Sequence, residues 1–136
     1  MTGFYNTGRA ADAHPRAVAH QTYQGSCHCG AVRFEVTMRA PQKAFACNCS
    51  ICARAGWLLA FVEPAAFQLI AGEDALADYQ FGKRRIRHVF CRTCGVRPFS
   101  RGIDDAGKSG VAVNLRCVQG MDPTTLPVET FDGASV

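Results

Sequence analysis

Seven of the eight cysteines in this 136-residue chain fall into three tight groups, Cys27 with Cys29, Cys47 with Cys49 and Cys52, and Cys91 with Cys94, while Cys117 stands alone. Grouped thiols hold metal, cycle through disulfides or act as nucleophiles. A disulfide scaffold would need partners from different groups with Cα atoms about 4.4 to 6.8 Å apart, which spacing alone does not exclude. The first twenty residues contain Arg9, Asp12, His14, Pro15 and Arg16 and no continuous apolar run, so no secretory signal is read there. The chain is therefore expected in the cytoplasm, where clustered thiols serve metal or redox chemistry more often than structural disulfides.

Zinc favours four tetrahedral ligands, and a structural site fills all four with protein atoms. Cys91-x-x-Cys94 followed by Gly95 has the form of a zinc knuckle, and Cys27-x-Cys29 followed by Gly30 is its natural second half. In each, the glycine permits the positive φ that turns the chain away from the sulfurs. The middle group counts differently. Cys47, Cys49 and Cys52 offer three thiolates and leave one position for water or a substrate atom, which is how a catalytic zinc differs from a structural one. A helix start near Ser50 would favour thiolate at Cys52. His28, His88 or Cys117 could close this site instead, His28 being the poorest placed, or the three cysteines could stand without metal. Two zinc ions are the expected complement.

The elements that must position these sulfurs read as mainly β. Val32, Phe34 and Val36 alternate with Arg33 and Glu35, and further strands are predicted over 43–46, 57–62, 67–70, 79–81, 85–90 and 111–115, between Gly, Pro and Asp punctuation. Pairing of 31–36 with 85–90 would bring the two short cysteine pairs together. Two short helices are predicted, one capped by Ser50 and ending at Gly56, the other opened by Asp122 and Pro123. Residues 1–22 lack a sustained period and read as a mobile arm; 23–136 read as a single zinc-binding β domain. The most apolar stretch, 55–72, is broken by Glu63, Pro64 and Gln68 and cannot supply a membrane helix.

Charge adds one local feature. Seven thiolates and two divalent ions would lower the formal +4 by three, so global basicity argues little. Between 83 and 101, however, Lys83, Arg84, Arg85, Arg87, Arg92, Arg97 and Arg101 occur with no acidic residue. This run reads as a solvated strand balancing an anionic zinc-thiolate centre, with an anionic-substrate rim or a nucleic-acid surface as the sharper alternatives. Arg54, one turn beyond Cys52, is a better anion-binding candidate than most of the run. Asn48 and Ser50 could donate hydrogen bonds around the three sulfurs or simply cap the backbone. Trp57, Phe61 and Phe99 could line a pocket, but as strand residues they read first as core, and Cys117 as a small buried side chain.

Four ordered segments, GSCHCGAVRF at 25–34, CNCSIC at 47–52, FCRTCG at 90–95 and VNLRC at 113–117, resemble the glutathione-dependent formaldehyde-activating enzyme and centromere protein V-like family. The resemblance runs from about residue 23 to 133. It implies a mainly β, Mss4-like zinc-binding fold with one or two short helices. It also implies a structural zinc on Cys27, Cys29, Cys91 and Cys94, and a second, exchangeable zinc on Cys47, Cys49 and Cys52. The implied activity is a carbon–sulfur lyase that joins a small thiol such as glutathione to formaldehyde, or a related electrophile, as an S-hydroxymethyl thiol. The alternative is a non-catalytic zinc module that uses the basic run to bind a protein or nucleic acid. Against nucleic acid stand the near-neutral metallated charge and the lack of an arranged aromatic stacking motif. A third reading is a metal-free thiol that is redox active or binds formaldehyde.

Overall fold

The computed structural model describes residues 20–135, in which ten strands form two sheets. Alternation decides the smaller one. In β2 (Arg33–Arg39) Phe34, Val36 and Met38 are buried while Arg33 and Thr37 face outward. This strand lies between β1 (His20–Ser26) and β5 (Phe67–Ala71), antiparallel to both. Gly25 sits opposite Phe34, and a Cβ there would fall 2.2 Å from the ring, so the small residue makes room for the large one.

The larger sheet has the order β10-β3-β4-β9-β8-β7-β6. Its strands are β3 (Ala44–Cys47), β4 (Leu59–Val62), β6 (Leu76–Tyr79), β7 (Ile86–Cys91), β8 (Phe99–Ile103), β9 (Ser109–Asn114) and β10 (Val128–Phe131). All neighbours are antiparallel except β10, which runs parallel to β3. The two sheets meet over Phe34, Phe67 and Phe99, whose ring centroids lie 4.5 to 6.3 Å apart. Burying each such ring contributes on the order of 2–3 kcal/mol. A second, smaller core of Phe45, Cys52, Trp57, Leu59, Phe61 and Ala112 forms where β3, β4 and β9 adjoin the helix α1 (Ser50–Ala55).

The predicted mainly β architecture is present, with differences that follow from exposure. Residues 20–22, assigned to the arm, begin β1, paired with Arg39, Met38 and Thr37; the rest of the arm, 1–19, lies outside the described residues. Strands β1, β8 and β10 escaped sequence detection because β1 and β10 are polar sheet edges and β8 is interrupted by Arg101 and Gly102. The strand expected over 79–81 instead ends at Tyr79 and starts at Leu76. Helix α1 ends at Gly56 in the left-handed region, as expected. Its N-cap, however, is Cys49 and not Ser50, and no side chain caps it. Asp122 does cap a single turn, Pro123–Thr125, by accepting the Thr124 amide at 3.1 Å. Among the described residues no helix is long and apolar enough to cross a membrane.

Two candidate metal centres

The four sulfurs of Cys27, Cys29, Cys91 and Cys94 all lie within 4.8 Å of one another. Cys27 and Cys29 occupy the loop between β1 and β2; Cys91 ends β7 and Cys94 sits in the following turn. Gly30 and Gly95 hold φ of 82° and 79°, and the Gly95 amide closes the knuckle on the Cys91 carbonyl at 2.7 Å. The sulfurs of Cys27 and Cys29, and of Cys29 and Cys91, are 3.7 Å apart. A tetrahedral zinc with Zn–S near 2.3 Å has ligand-to-ligand edges of about 3.8 Å, so the donor set fits that ion. The expected pairing of 31–36 with 85–90 does not occur, because β2 and β7 belong to different sheets. The sulfurs converge where the two sheets pack.

Backbone amides around these sulfurs already favour thiolate. The amide of Val96, with that of Cys29, holds Cys94 down to about 6, and the amides of Cys94 and Thr93 lower Cys91. The Ala31 amide pulls Cys29 down, yet desolvation and the sulfurs of Cys27, Cys91 and Cys94 push it up to about 11. Crowding by the neighbouring sulfurs thus opposes ionisation of Cys29, and a bound cation would relieve that opposition.

The sulfurs of Cys47, Cys49 and Cys52 also lie within 4.8 Å of one another. They come from the end of β3, the helix N-cap and the first turn of α1. Cys47 is lowered to about 6, chiefly because Cys52 donates to its sulfur, with the amides of Cys49 and Gly133 adding to the effect. The same contact and burial push Cys52 well above the usual thiol range. The thiolate expected at Cys52 is thus found at Cys47, since a six-residue helix does not offset burial beside another sulfur. Trp57 is buried, and its indole N–H has no acceptor at full hydrogen-bonding geometry. It nevertheless lies close enough to the Cys52 sulfur to favour the thiolate there.

No fourth histidine, cysteine or carboxylate joins this trio among the described residues. His28 is exposed on the other cysteine loop, and His88 is buried against Phe81 at 5.5 Å between ring centroids. Cys117 belongs near the four-sulfur group: burial raises its thiol to about 11, and the charges of Cys27 and Cys94 add to the shift. Trp57, Phe61 and Phe99 are core residues.

What covers the trio instead is the C-terminal segment, which the cysteine spacing did not foretell. The Asn48 amide donates to the Phe131 carbonyl at 3.1 Å. Its side chain donates to Asp132 Oδ1 at 3.0 Å and accepts from the Ala134 amide at 2.9 Å. Asn48 therefore fastens the turn Gly133–Ser135 over the sulfurs. A Cβ on Gly133 would stand 2.4 Å from Cys47 Sγ, closer than any side chain can approach. Ser50 offers its carbonyl to Arg54 Nη1 at 2.9 Å. The one sequence signal for this cover was Asn48 itself, whose two-sided amide suits a clasp.

Comparison with known proteins places these features in a family context. Residues 22–131 match the family described as glutathione-dependent formaldehyde-activating enzyme. A crystal structure of a Rhodobacter sphaeroides protein is similar at 33% sequence identity and a TM-score of 0.68, over 78% of this chain and 99% of that chain.

Proposed function

Because the chain belongs to the glutathione-dependent formaldehyde-activating enzyme family and has a mainly β, Mss4-like fold, we propose that it is a zinc-dependent carbon–sulfur lyase acting on a small thiol and formaldehyde or a related electrophile. The observation that carries this reading is the contrast in ligand count, four sulfurs in one group and three in the other. On this reading Cys27, Cys29, Cys91 and Cys94 hold a structural zinc, and Cys47, Cys49 and Cys52 hold an exchangeable one. The setting is the cytoplasm, where glutathione is abundant and the cysteines stay reduced.

In the direction of addition the thiol sulfur bonds to the carbonyl carbon of formaldehyde, and the thiol proton ends on the former carbonyl oxygen. Cleavage reverses both. Zinc, when bound by the three sulfurs, supplies a cation that lowers the pKa of a thiol at the open position. The chain's own contribution is arrangement. Cys47, Cys49 and Cys52, whose sulfurs lie within 4.8 Å of one another, would hold the ion, and the Cys52 contact, followed by the amides of Cys49 and Gly133, lowers the pKa of Cys47. Asn48 holds the Gly133–Ser135 turn against that face. Placing thiol and electrophile side by side supplies much of the remaining acceleration. No general base is assigned, because no histidine or carboxylate joins the trio among the described residues.

Exchange NMR tests the reaction by asking whether the protein speeds S-hydroxymethylglutathione formation from glutathione and formaldehyde beyond the spontaneous rate. Acceleration that disappears in Cys49→Ser is expected. Acceleration that survives in that variant, with the labile metal gone, defeats the mechanism.

A further inference from the structure

A cleft of about 590 Å³ opens between the two sheets, where β5 ends the smaller one and β6 ends the larger. Leu69, Leu76 and Val89 give it an apolar wall. Strand alternation puts Phe99 and Arg101 on the side of β8 that meets the smaller sheet. Ala112, opposite Ser100, points the other way and packs in the small core with Cys52. The cleft and the three-sulfur group therefore lie on opposite faces of the larger sheet, and no cysteine lines the cleft.

The cations of this cleft are not balanced. Arg87 and Arg101 are direct register partners across β7 and β8, and like charges set opposite one another on a sheet repel. Asp78 answers Arg87, with oxygen and nitrogen 3.4 Å apart. Arg92, on the same rim, gives its Nη2 to the Leu76 carbonyl at 3.0 Å. Nothing answers Arg101. It is exposed and has no hydrogen bond or ion pair among the described residues, while its guanidinium lies 5.4 Å from the Phe67 ring centroid and 5.2 Å from that of Phe99. A guanidinium seated on ring faces keeps its N–H donors, which lie in its own plane, for an acceptor at its edge. Glu73, on the turn between β5 and β6, lines the cleft but pairs with none of these arginines.

We propose that this cleft binds a small amphipathic anion, its carboxylate or phosphate head held by Arg101 with Arg87 beside it, and its apolar body laid along Leu69, Leu76 and Val89. The site uses neither cysteine group and stands independently of the thiol chemistry. An arginine that served only to cover the Phe67 and Phe99 rings would gain nothing from a second arginine opposite it. An anion between the two removes that repulsion and takes up the donors that the rings leave free.

Four probes separate head from body. Hexanoate has both, acetate has the head alone, hexanamide has the body without the charge, and hexyl phosphate exchanges the head. Amide chemical shifts of the zinc-loaded protein measure binding and locate it. Hexanoate is expected to shift the amides of Val89 and Arg101 and to bind about tenfold more tightly than acetate or hexanamide. Arg101→Gln is expected to weaken hexanoate about tenfold, with partial recovery in Arg101→Lys, and Arg87→Gln to act in the same direction by a smaller factor. Glu73→Gln removes a like charge from the rim and is expected to tighten hexanoate about twofold. Hexyl phosphate binding more tightly than hexanoate, with the same Arg101 dependence, sustains the site with a phosphate head; the reverse order sustains it with a carboxylate. Hexanoate binding within twofold of wild type in both Arg101→Gln and Arg87→Gln overturns the assignment, as does hexanamide or acetate binding as tightly as hexanoate. Hexanoate shifts confined to the amides of Cys47 to Cys52 mean binding at the sulfur site and overturn it too. So does the absence of any shift at Val89 and Arg101 with hexanoate and hexyl phosphate. A single-stranded oligonucleotide that displaces hexanoate through Arg101 overturns the assignment in favour of a nucleic-acid surface.

Discussion

The four-sulfur group joins loops far apart in the chain, with Cys29 and Cys91 62 residues distant, whereas the three-sulfur group is contained in the six residues from Cys47 to Cys52. A cross-link across the longer interval removes loop entropy worth on the order of 4 kcal/mol from the unfolded chain. A cross-link within six residues removes far less. The first group also sits where the two sheets meet, with Cys27 and Cys91 in the main core, while the second lies on the small core beside α1. On the proposed two-metal reading, metal at the first would be coupled to folding, and metal at the second would be free to exchange and to accept a ligand.

Breaking each group in turn gives the largest expected difference. Cys94→Ser should lower stability by on the order of 4 kcal/mol, or prevent folding, while Cys49→Ser should cost under about 1 kcal/mol and lose only the labile metal. Thermal melts with metal analysis check both, and if Cys94→Ser folds weakly, stepwise chelation of the parent makes the same comparison. Equal losses of stability in the two variants would remove the distinction.

A smaller effect is expected from the cover. Gly133→Ala should weaken metal at the three-sulfur group by roughly tenfold, about 1.4 kcal/mol, because its Cβ would collide with Cys47 Sγ. Cobalt competition measures this, and the four-sulfur group should be unaffected. Asn48→Ala removes two side-chain bonds from the clasp and should cost about 1 kcal/mol. Hydrogen exchange should locate that loss at the Ala134 amide; protection there equal to wild type would deny the clasp.

The smallest effect is a pH dependence confined to the trio. In protein stripped of the labile metal only, Cys47 has a folded pKa of about 6, below its ordinary value of 9.0. The stabilisation from its ionised form is therefore present above the ordinary value and lost as pH falls through about 6. Alkylation followed by peptide mass mapping should label Cys47 down to that pH and spare Cys52 at pH 8. Equal labelling of the two would contradict the shared-proton arrangement.

The cysteine spacing by itself determined the grouping of the sulfurs into four and three, the knuckle glycines and, with the alternation of Phe34, Val36 and Met38, the mainly β character of the chain. Such features are local, because a turn's φ angle and a strand's period are set within a few residues. Only the tertiary structure decided that the four sulfurs meet through sheet packing and not through pairing of β2 with β7. It also decided that Cys117 and His88 stay away from the trio, and that Asn48 and Gly133 close over it. The cover depends on β10 lying parallel to β3 more than eighty residues earlier, and β10 is an exposed edge with no buried alternation for a sequence pattern to report.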